Sequence, residues 1–579
     1  MTTVGLNAPK PFAWRWISGA VWWIEHEFER ARAGGRPVDS VRVRMVFILA
    51  AFIAGFAALG IGAVRAAVSR APVSAWSASL PAGSRADLVD RRGELLAMDL
   101  AAWNLYLDPK LIWDKAETRR VLGPMLTPAA AARMDQALAA GKRQKIFGPF
   151  PQAMRDQLDG MGLPGVSFEA EAGRSYPLGT EASHLVGYVR NDGLGMAGAE
   201  GALDSQIRAQ AGRGPVVLAL DLKVQAALEE ELKNTIALHT AKAAVGVITN
   251  VRTGEVLAMA SLPDTTPDHL ASDPTMFVNR AAGRVYEMGS TFKIFTLAAG
   301  LDSGRVTLDS KYDVGNPLVL PGQTIHDSHS GKGYFTLREV FIHSSNIGAA
   351  RMALEVGEPA MAPYFNKFGL LEKAPIELKE SARPLVPGPK TWTTNALANR
   401  AFGHGIAVSP LAVAAGVGAI MNGGEYVPLT ILKRDNPPKD LRRVIRPETS
   451  LKMLGLMREN VLEGTGRSAE AAAPGFSVGG KTGTAEKPVN GSYARSTLVS
   501  SFAAIFPTDA PVGADKYMVL IMVDEPNVSA QAPGRPTGGI VAAPAAGRVI
   551  NRIAPFLGVE RRIQAPVTVA ASGDDGNER

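Results

Sequence analysis

The feature that most constrains this chain is a run of twenty residues without a charge, Met45 to Val64 (MVFILAAFIAGFAALGIGAV). As a helix such a run is long enough to span a bilayer. Five arginines (Arg30, Arg32, Arg36, Arg42 and Arg44) lie in the fifteen residues before it, and only Arg65 and Arg70 in the fifteen after it. That asymmetry predicts a cytoplasmic N-terminus, with everything after Val64 on the outer side of the membrane. The run is too long, and begins too far from the terminus, for a cleaved signal peptide. No second stretch of this length and apolarity follows, so a single-pass anchor is expected. Ahead of it, Trp14, Trp16, Trp22 and Trp23 sit among apolar and charged residues. The pattern suits a helix lying on the inner leaflet, and equally one touching a membrane partner.

At 579 residues the chain has room for two to four domains, and 46% apolar against 20% charged residues is enough to bury a core. It has no cysteine, which excludes disulfides, thiolate zinc sites and a cysteine nucleophile. The net charge of +7 is spread along the chain and reads as a solvated surface, not a nucleic-acid footprint. Residues 65–80 read as a linker. From 81 to 230, short strand-like runs and helices alternate without an acid–base or metal constellation, as in a structural module. From 231 to 557 the chain reads as one large α/β unit. AAVGVITN (Ala243–Asn250) and EVLAMAS (Glu255–Ser261) predict a hairpin, and SSFAAIF (Ser500–Phe506) and YMVLIMV (Tyr517–Val523) predict two more strands. Long Ala/Leu/Gly-rich helical stretches lie between the pairs. That order predicts an α/β (α+β) domain with a mainly antiparallel sheet flanked by helices. The end, 558–579, becomes a polar tail expected to be disordered.

The strongest chemical signal is Gly289-Ser-Thr-Phe-Lys293 followed by the apolar helical run IFTLAAGL. Ser290 falls at a helix start, where backbone N–H groups favour negative charge on its oxygen. Lys293, three residues on, lies over the same face. A lysine half buried in apolar surroundings can lose its proton near neutral pH and act as base for that serine. Alone, S-x-x-K arises by chance, and a helix-capping serine is the plainer explanation. Two further elements change the weight. Ser344-Ser345-Asn346 follows within a predicted helical stretch, and Lys481-Thr482-Gly483-Thr484 follows just before the predicted strands. S-x-x-K, S-D-N and K-T-G in this order form a signature of penicillin-binding proteins and class A β-lactamases; here Ser345 stands where that pattern has Asp, a position that varies in the former.

These motifs, with RADLVDRRGELLA (Arg85–Ala97), RSYPLGTEASHLVGYV (Arg174–Val189), GAEGALDSQI (Gly198–Ile207), LALDLKVQAALEEEL (Leu218–Leu232), AFGHGIAVSPL (Ala401–Leu411), EGTGRSA (Glu463–Ala469) and GGKTGTAEK (Gly479–Lys487), resemble a class B penicillin-binding protein of the cell-division type. Asn346 before Ile-Gly-Ala-Ala looks more like the division type than the elongation type. The resemblance implies a cytoplasmic segment (1–44), an anchor (45–64), a periplasmic pedestal resembling the family's dimerisation domain (65–230) and a transpeptidase domain (231–557). It implies Ser290 as the acylated nucleophile, Lys293 as its base, Ser344 as a proton relay and Lys481 as the group holding the relay. Asn346, Thr482, Gly483 and Thr484 would bind substrate, and the N–H groups of Ser290 and Thr484 would form an oxyanion hole. The implied substrates are peptidoglycan stem peptides, on the lipid-linked precursor and on nascent glycan strands, with β-lactams as covalent inhibitors. No cofactor, metal or nucleic acid is implied. The implied partners are a polytopic glycan-strand polymerase and other division proteins at the septum.

Several competing patterns are weaker. Gly475 to Thr482 fits G-x-x-x-x-G-K-[ST], but Gly483, Pro488 and Gly491 follow where a phosphate loop needs a helix. His326-Asp327-Ser328-His329 reads as a loop near the site mouth and not as a metal site. His404 reads as a loop residue packed near the cleft. A β-lactamase would need a deacylating glutamate in an E-x-x-L-N segment, and none lies between Asn346 and Lys481. A non-catalytic scaffold or sensor sits poorly with an intact Ser290, Lys293, Ser344 and Lys481.

Overall fold

The computed structural model describes helix 37–68, isolated positions between 22 and 33, and residues 84–562 with short gaps at 191–192, 268–276, 329–330, 387–391, 490–491, 512 and 531–532. The chain divides into two compact units, residues 1–80 and 81–579. In the first, helix α1 (Pro37–Val68) carries the uncharged run. Its side chains from Met45 to Leu59 include Phe47, Leu49, Ile53 and Phe56, all exposed. Among the described residues no helix is long and apolar enough to cross a membrane. The far end of the predicted span, from residue 61, lies outside the residues whose side chains are described, as do Trp14 and Trp16.

The second unit opens with a sheet of β1 (Leu88–Val89), β2 (Leu95–Leu107), β3 (Gln144–Pro151), β4 (Val166–Ser175) and β5 (Val216–Val217). Strand β2 pairs antiparallel with β1, β3 and β4, and β1 pairs parallel with β5. Leu105, Leu107, Met134, Leu138, Ile146 and Phe150 close a small core beneath its outer half. At its inner end, Glu200 is fully buried between two arginines. Arg85 Nε donates to its carboxylate at 2.9 Å and Arg174 Nε at 2.6 Å. A buried carboxylate is tolerable only when charged donors satisfy it in this way.

The chain then enters its largest layer structure through α2 (Leu222–His239), capped by the Asp221 side chain. This helix runs straight across residue 230. Among the elements that follow are β6 (Ala243–Asn250), β7 (Val256–Leu262), α3 (Lys293–Ser303), α4 (Leu337–Ile342), α5 (Asn346–Val356), α6 (Pro410–Met421), α7 (Pro447–Leu462), α8 (Arg467–Ala472), β8 (Gly479–Val489), β9 (Ser492–Phe506), β10 (Tyr517–Asp524) and α9 (Ala542–Ile553). The sheet order is β8-β9-β10-β6-β7, antiparallel throughout. It contains the predicted hairpin as β6–β7 and the two further predicted strands as β9 and β10. Strands β6, β7 and β10 are buried almost residue by residue because helices cover both faces. Ala244, Ile248, Val519 and Ile521 pack on the α2 and α9 side. Val245, Val247, Leu520 and Met522, at the alternate positions, pack on the side of α3 and α6. Helix α6 is buried all round, which is why its sequence is nearly unbroken Ala, Val, Gly and Leu. Beyond α9, the expected tail begins by packing back: Arg562 N–H donates to the Gly475 carbonyl at 2.8 Å. Residues 563–579 lie outside the described residues.

Candidate active site

Residues Gly289–Phe292 form one 3-10 turn that runs into α3 at Lys293. The Ser290 hydroxyl makes no helix-capping bond there. It accepts instead from Lys293 Nζ at 2.9 Å. Gly289 is left-handed (φ 51°), and a Cβ on it would stand 2.6 Å from the Thr484 carbonyl, so only glycine lets the turn touch β8. Lys293 is fully buried at the start of an apolar helix. Burial lowers its pKa from 10.5 to about 7, against a smaller upward pull from the Asp327 carboxylate. Its amine also donates to the Ser344 carbonyl at 2.6 Å, the Ser344 Oγ at 3.2 Å and Asn346 Oδ1 at 2.8 Å. A neutral amine in this position can take the proton of Ser290 and pass one to Ser344.

Ser344 lies in a hinge between α4 and α5, not within the helical stretch the sequence suggested. Its φ of 60° is a strained value for serine, which turns the backbone so that carbonyl and hydroxyl both face Lys293. The hinge is pinned from the far side by Asp327. That carboxylate accepts from Ser345 Oγ at 2.6 Å, from the Ile347 N–H at 3.0 Å and from the Asn346 N–H. Ser345 also caps α5 through the Gly348 N–H at 2.9 Å. Asn346 completes the loop by donating to the His326 carbonyl at 3.3 Å.

The third element lies on β8 itself. Lys481 is fully buried, its Nζ 2.9 Å from Ser344 Oγ and 3.1 Å from the Thr482 carbonyl. Burial, and then the neighbouring Lys293 charge, hold its pKa well below the usual lysine range. Ser344 Oγ therefore sits between two amines, a bridge along which a proton can move. Thr482 Oγ1 pairs with Thr465 Oγ1 at 2.7 Å, and Thr484 Oγ1 accepts from the Gly538 N–H at 3.1 Å. Gly483 is packed on the serine turn: a Cβ there would meet Thr291 Oγ1 and Ser501 Oγ, each at 2.3 Å.

Ser290, Ser344, Asn346, Thr482 and Thr484 open onto one cleft of about 660 Å³, lined also by Asp327, Phe402, His404, Arg467, Glu486 and Arg535, with Lys293 and Lys481 buried behind it. The structure thus brings Ser290, Lys293, Ser344, Asn346, Lys481, Thr482, Gly483 and Thr484 to one place. Sequence reasoning missed the supports. In the sequence Asp327 stands out only beside its histidine neighbours, in a segment that reads as a loop. Asn460, fully buried, ties Thr465 to β8 by donating to the Gly480 carbonyl at 2.7 Å while its own oxygen accepts from Thr465. Among the described residues no group of acids and histidines could hold a metal, and His329 lies outside them. The segment fitting a phosphate-loop pattern is strand from Gly479 onward, not a loop opening a helix. His404 lines the cleft, with desolvation holding its pKa below the usual histidine value.

Comparison with known proteins gives this geometry a family. Residues 244–551 match the family described as penicillin binding protein transpeptidase domain, and residues 81–219 match the penicillin-binding protein dimerisation domain. The probable peptidoglycan D,D-transpeptidase FtsI of Caulobacter vibrioides (strain NA1000 / CB15N) is 48% identical over 579 residues, covering 98% of this chain and 97% of that protein. The peptidoglycan D,D-transpeptidase FtsI of Escherichia coli (strain K12) is 28% identical over 512 residues, 82% of this chain and 84% of that one. The crystal structure of penicillin binding protein 3 from Mycobacterium tuberculosis, complexed with aztreonam, superposes with a TM-score of 0.63 at 26% identity, over 83% of this chain and 99% of that one. The chain belongs to the penicillin-binding protein transpeptidase family.

Proposed function

We propose that this protein is a serine-type peptidoglycan D,D-transpeptidase that crosslinks stem peptides at the division septum through an acyl-enzyme on Ser290. The observation that carries the reading is the fully buried Lys293 amine, its pKa near 7, at 2.9 Å from the Ser290 hydroxyl. In the first step Lys293 takes the Ser290 proton as Oγ attacks the carbonyl of the penultimate D-alanine. The Ser290 and Thr484 N–H groups receive the oxyanion. Collapse breaks the peptide bond, and Ser344, held between Lys293 and Lys481, hands a proton to the departing D-alanine nitrogen. In the second step an amine of a neighbouring stem peptide takes the acyl group and loses its proton by the reverse route, which restores Ser290. Asn346 binds the donor's backbone amide, Thr482 and Thr484 its terminal carboxylate, and Gly483 lets the strand close on the serine turn.

The remaining assignments rest on sequence pattern and family. Residues 45–64 anchor the chain in the inner membrane, with 1–44 in the cytoplasm and the rest periplasmic. The arginine asymmetry and the row of exposed apolar side chains on α1 support this. Residues 65–230 serve as the pedestal and 231–557 as the transpeptidase domain. β-Lactams acylate Ser290, and a polytopic glycan-strand polymerase with other division proteins supplies the strands. The test is labelling of the full chain with a fluorescent penicillin beside Ser290→Ala, with peptide mass spectrometry. A stable adduct on Ser290 that is absent in the variant is expected. Rapid loss of the label would point to a hydrolase, and no adduct on folded protein would overturn the reading.

A further inference from the structure

The two-step reaction leaves one proton without a carrier. The departing D-alanine nitrogen gains one hydrogen through Ser344 and leaves as a neutral amine, one proton short of the ammonium it becomes in water. The acceptor arrives as an ammonium and ends as an amide, so it sheds two protons. One returns to Ser290 by the relay. The other has to leave Ser290, Lys293, Ser344 and Lys481 before they can start another cycle. Lys293 and Lys481 are fully buried, so neither hands it directly to water. A group at the leaving-group end of the cleft that both gives and takes a proton near neutral pH would complete the cycle.

That end is marked by the residues around it. Thr465, Arg467 and Ser468 line the cleft with Thr482 and suit a terminal carboxylate, and Ser344 stands where the departing nitrogen is protonated. His343 directly precedes Ser344 and lines the same cleft. It closes α4, its N–H donating to the Glu339 carbonyl at 2.9 Å. Its ring packs against Phe335, centroids 5.1 Å apart, and the residue remains exposed. The segment carrying Thr465 meets the same helix end, since a Cβ on Gly464 would stand 2.6 Å from the Ile342 carbonyl. The charges nearby are mixed. The Glu339 carboxylate, kept below the usual range first by its bonds from Thr336, is near enough to feel a charge on the ring. Asp327 and Arg467 line the cleft with it, and an arginine does not release its proton. His404, the other histidine on this cleft, suits the task poorly: desolvation disfavours its charged form, and the Glu486 carboxylate that acts on it lies two residues beyond Thr484, away from Thr482.

We propose that His343 is a catalytic proton exchanger between the two amines of the reaction. It rests on the transpeptidase reading and adds a residue to it. As imidazolium, His343 gives its ring N–H proton to the nitrogen of the departing D-alanine, which leaves as an ammonium. The neutral imidazole then takes the first proton of the incoming acceptor ammonium, which frees the nitrogen lone pair to attack the Ser290 ester. The acceptor's second proton returns to Ser290 through the relay. Each turnover restores the ring, and no proton is exchanged with solvent. Histidine is the side chain that changes charge near neutral pH, so it can serve in both directions.

The test uses the full chain and a thioester analogue of the donor, whose thiolate leaves without needing a proton. Two acceptors are compared near neutral pH. D-Alanine arrives as an ammonium, and its attack is the first step run backward. Trifluoro-D-alanine keeps the carboxylate, but its fluorines lower the basicity of the amine so that it arrives neutral. The readout is the ratio of the two transfer rates on one protein, from which a general loss of activity cancels. His343→Gln should lower transfer to D-alanine about a hundredfold more than transfer to the fluorinated amine, the lower end of what a positioned acid–base group contributes. Added imidazole should restore part of the D-alanine rate in the variant. His343→Asn repeats the measurement with a side chain too short to refill the space against Phe335. A ratio equal to wild type in both variants overturns the exchanger and leaves the transpeptidase reading standing. No transfer to either amine by the wild-type chain overturns that reading, and the exchanger with it.

Discussion

The barrier to using Lys293 as a base is set by its burial, and that makes the pH dependence of acylation a quantitative prediction. Taking the amine from water, where its pKa is 10.5, into this site, where it is about 7, costs the protonated form about 5 kcal/mol at 1.36 kcal/mol per tenfold change in proton affinity. The neutral, proton-accepting form is then roughly one tenth of the population near pH 6, about half near pH 7 and about nine tenths near pH 8. The second-order rate of penicillin acylation, measured by stopped-flow labelling across that range, should follow this curve. The same shift predicts the stability profile. Between pH 7 and 10.5 the unfolded chain binds a proton that the folded Lys293 lacks, so stability contributed by this group rises with pH across that window. Asp327 pulls in the other direction, and Asp327→Asn should move the acylation midpoint to lower pH while loosening the Ser344 hinge. An acylation rate flat from pH 6 to 8, or a midpoint near that of ordinary lysine, would refute the assignment of Lys293 as the base.

Three further outcomes follow from packing. Gly483→Ala forces a methyl to within 2.3 Å of the Thr291 hydroxyl on the serine turn and the Ser501 hydroxyl on β9, so β8 must move. Stability should fall by about 1–3 kcal/mol on thermal unfolding, with penicillin labelling lost well beyond that proportion. Glu200→Ala strands Arg85 and Arg174 beside each other without their shared carboxylate, and a denaturant titration should show a loss of about 3–5 kcal/mol. Asn460→Ala takes their side-chain partner from the Gly480 carbonyl and the Thr465 N–H, costing about 1–3 kcal/mol. Labelling of that variant should slow with its pH midpoint unmoved, because neither lysine is touched.

The residues that meet at the candidate site were legible in the sequence because each is announced by close neighbours. Ser290 and Lys293 stand one helical turn apart, and Lys481 to Thr484 share one strand. The strands of the sheet were legible for a related reason, since burial on both faces writes an unbroken apolar run. The groups that hold the site were not legible. Asp327 pins a hinge 18 residues downstream and Asn460 grips a strand carbonyl 20 residues downstream, through contacts created only when separate elements dock. Nothing local marks either residue. By sequence Ser344 reads as helical because its neighbours on both sides are helical, while its left-handed backbone is held by the bonds of Lys293 and Lys481 to Ser344 and of Asp327 to the residues after it.

Strand β8, on which Lys481 to Glu486 are arrayed, is also the outermost strand of its sheet. A bare edge of this kind invites pairing with any extended chain, its own copies included. Under the proposed transpeptidase reading the edge stays open for a stem peptide, and protection falls at its outer end. There Glu486, Lys487 and Pro488 interrupt the pattern with two charges and a residue that has no N–H to donate. The molecule thus carries its colloidal safeguard beside its reading frame. Substitutions at those three positions made to tune what the enzyme accepts should be screened for self-association in the same experiment.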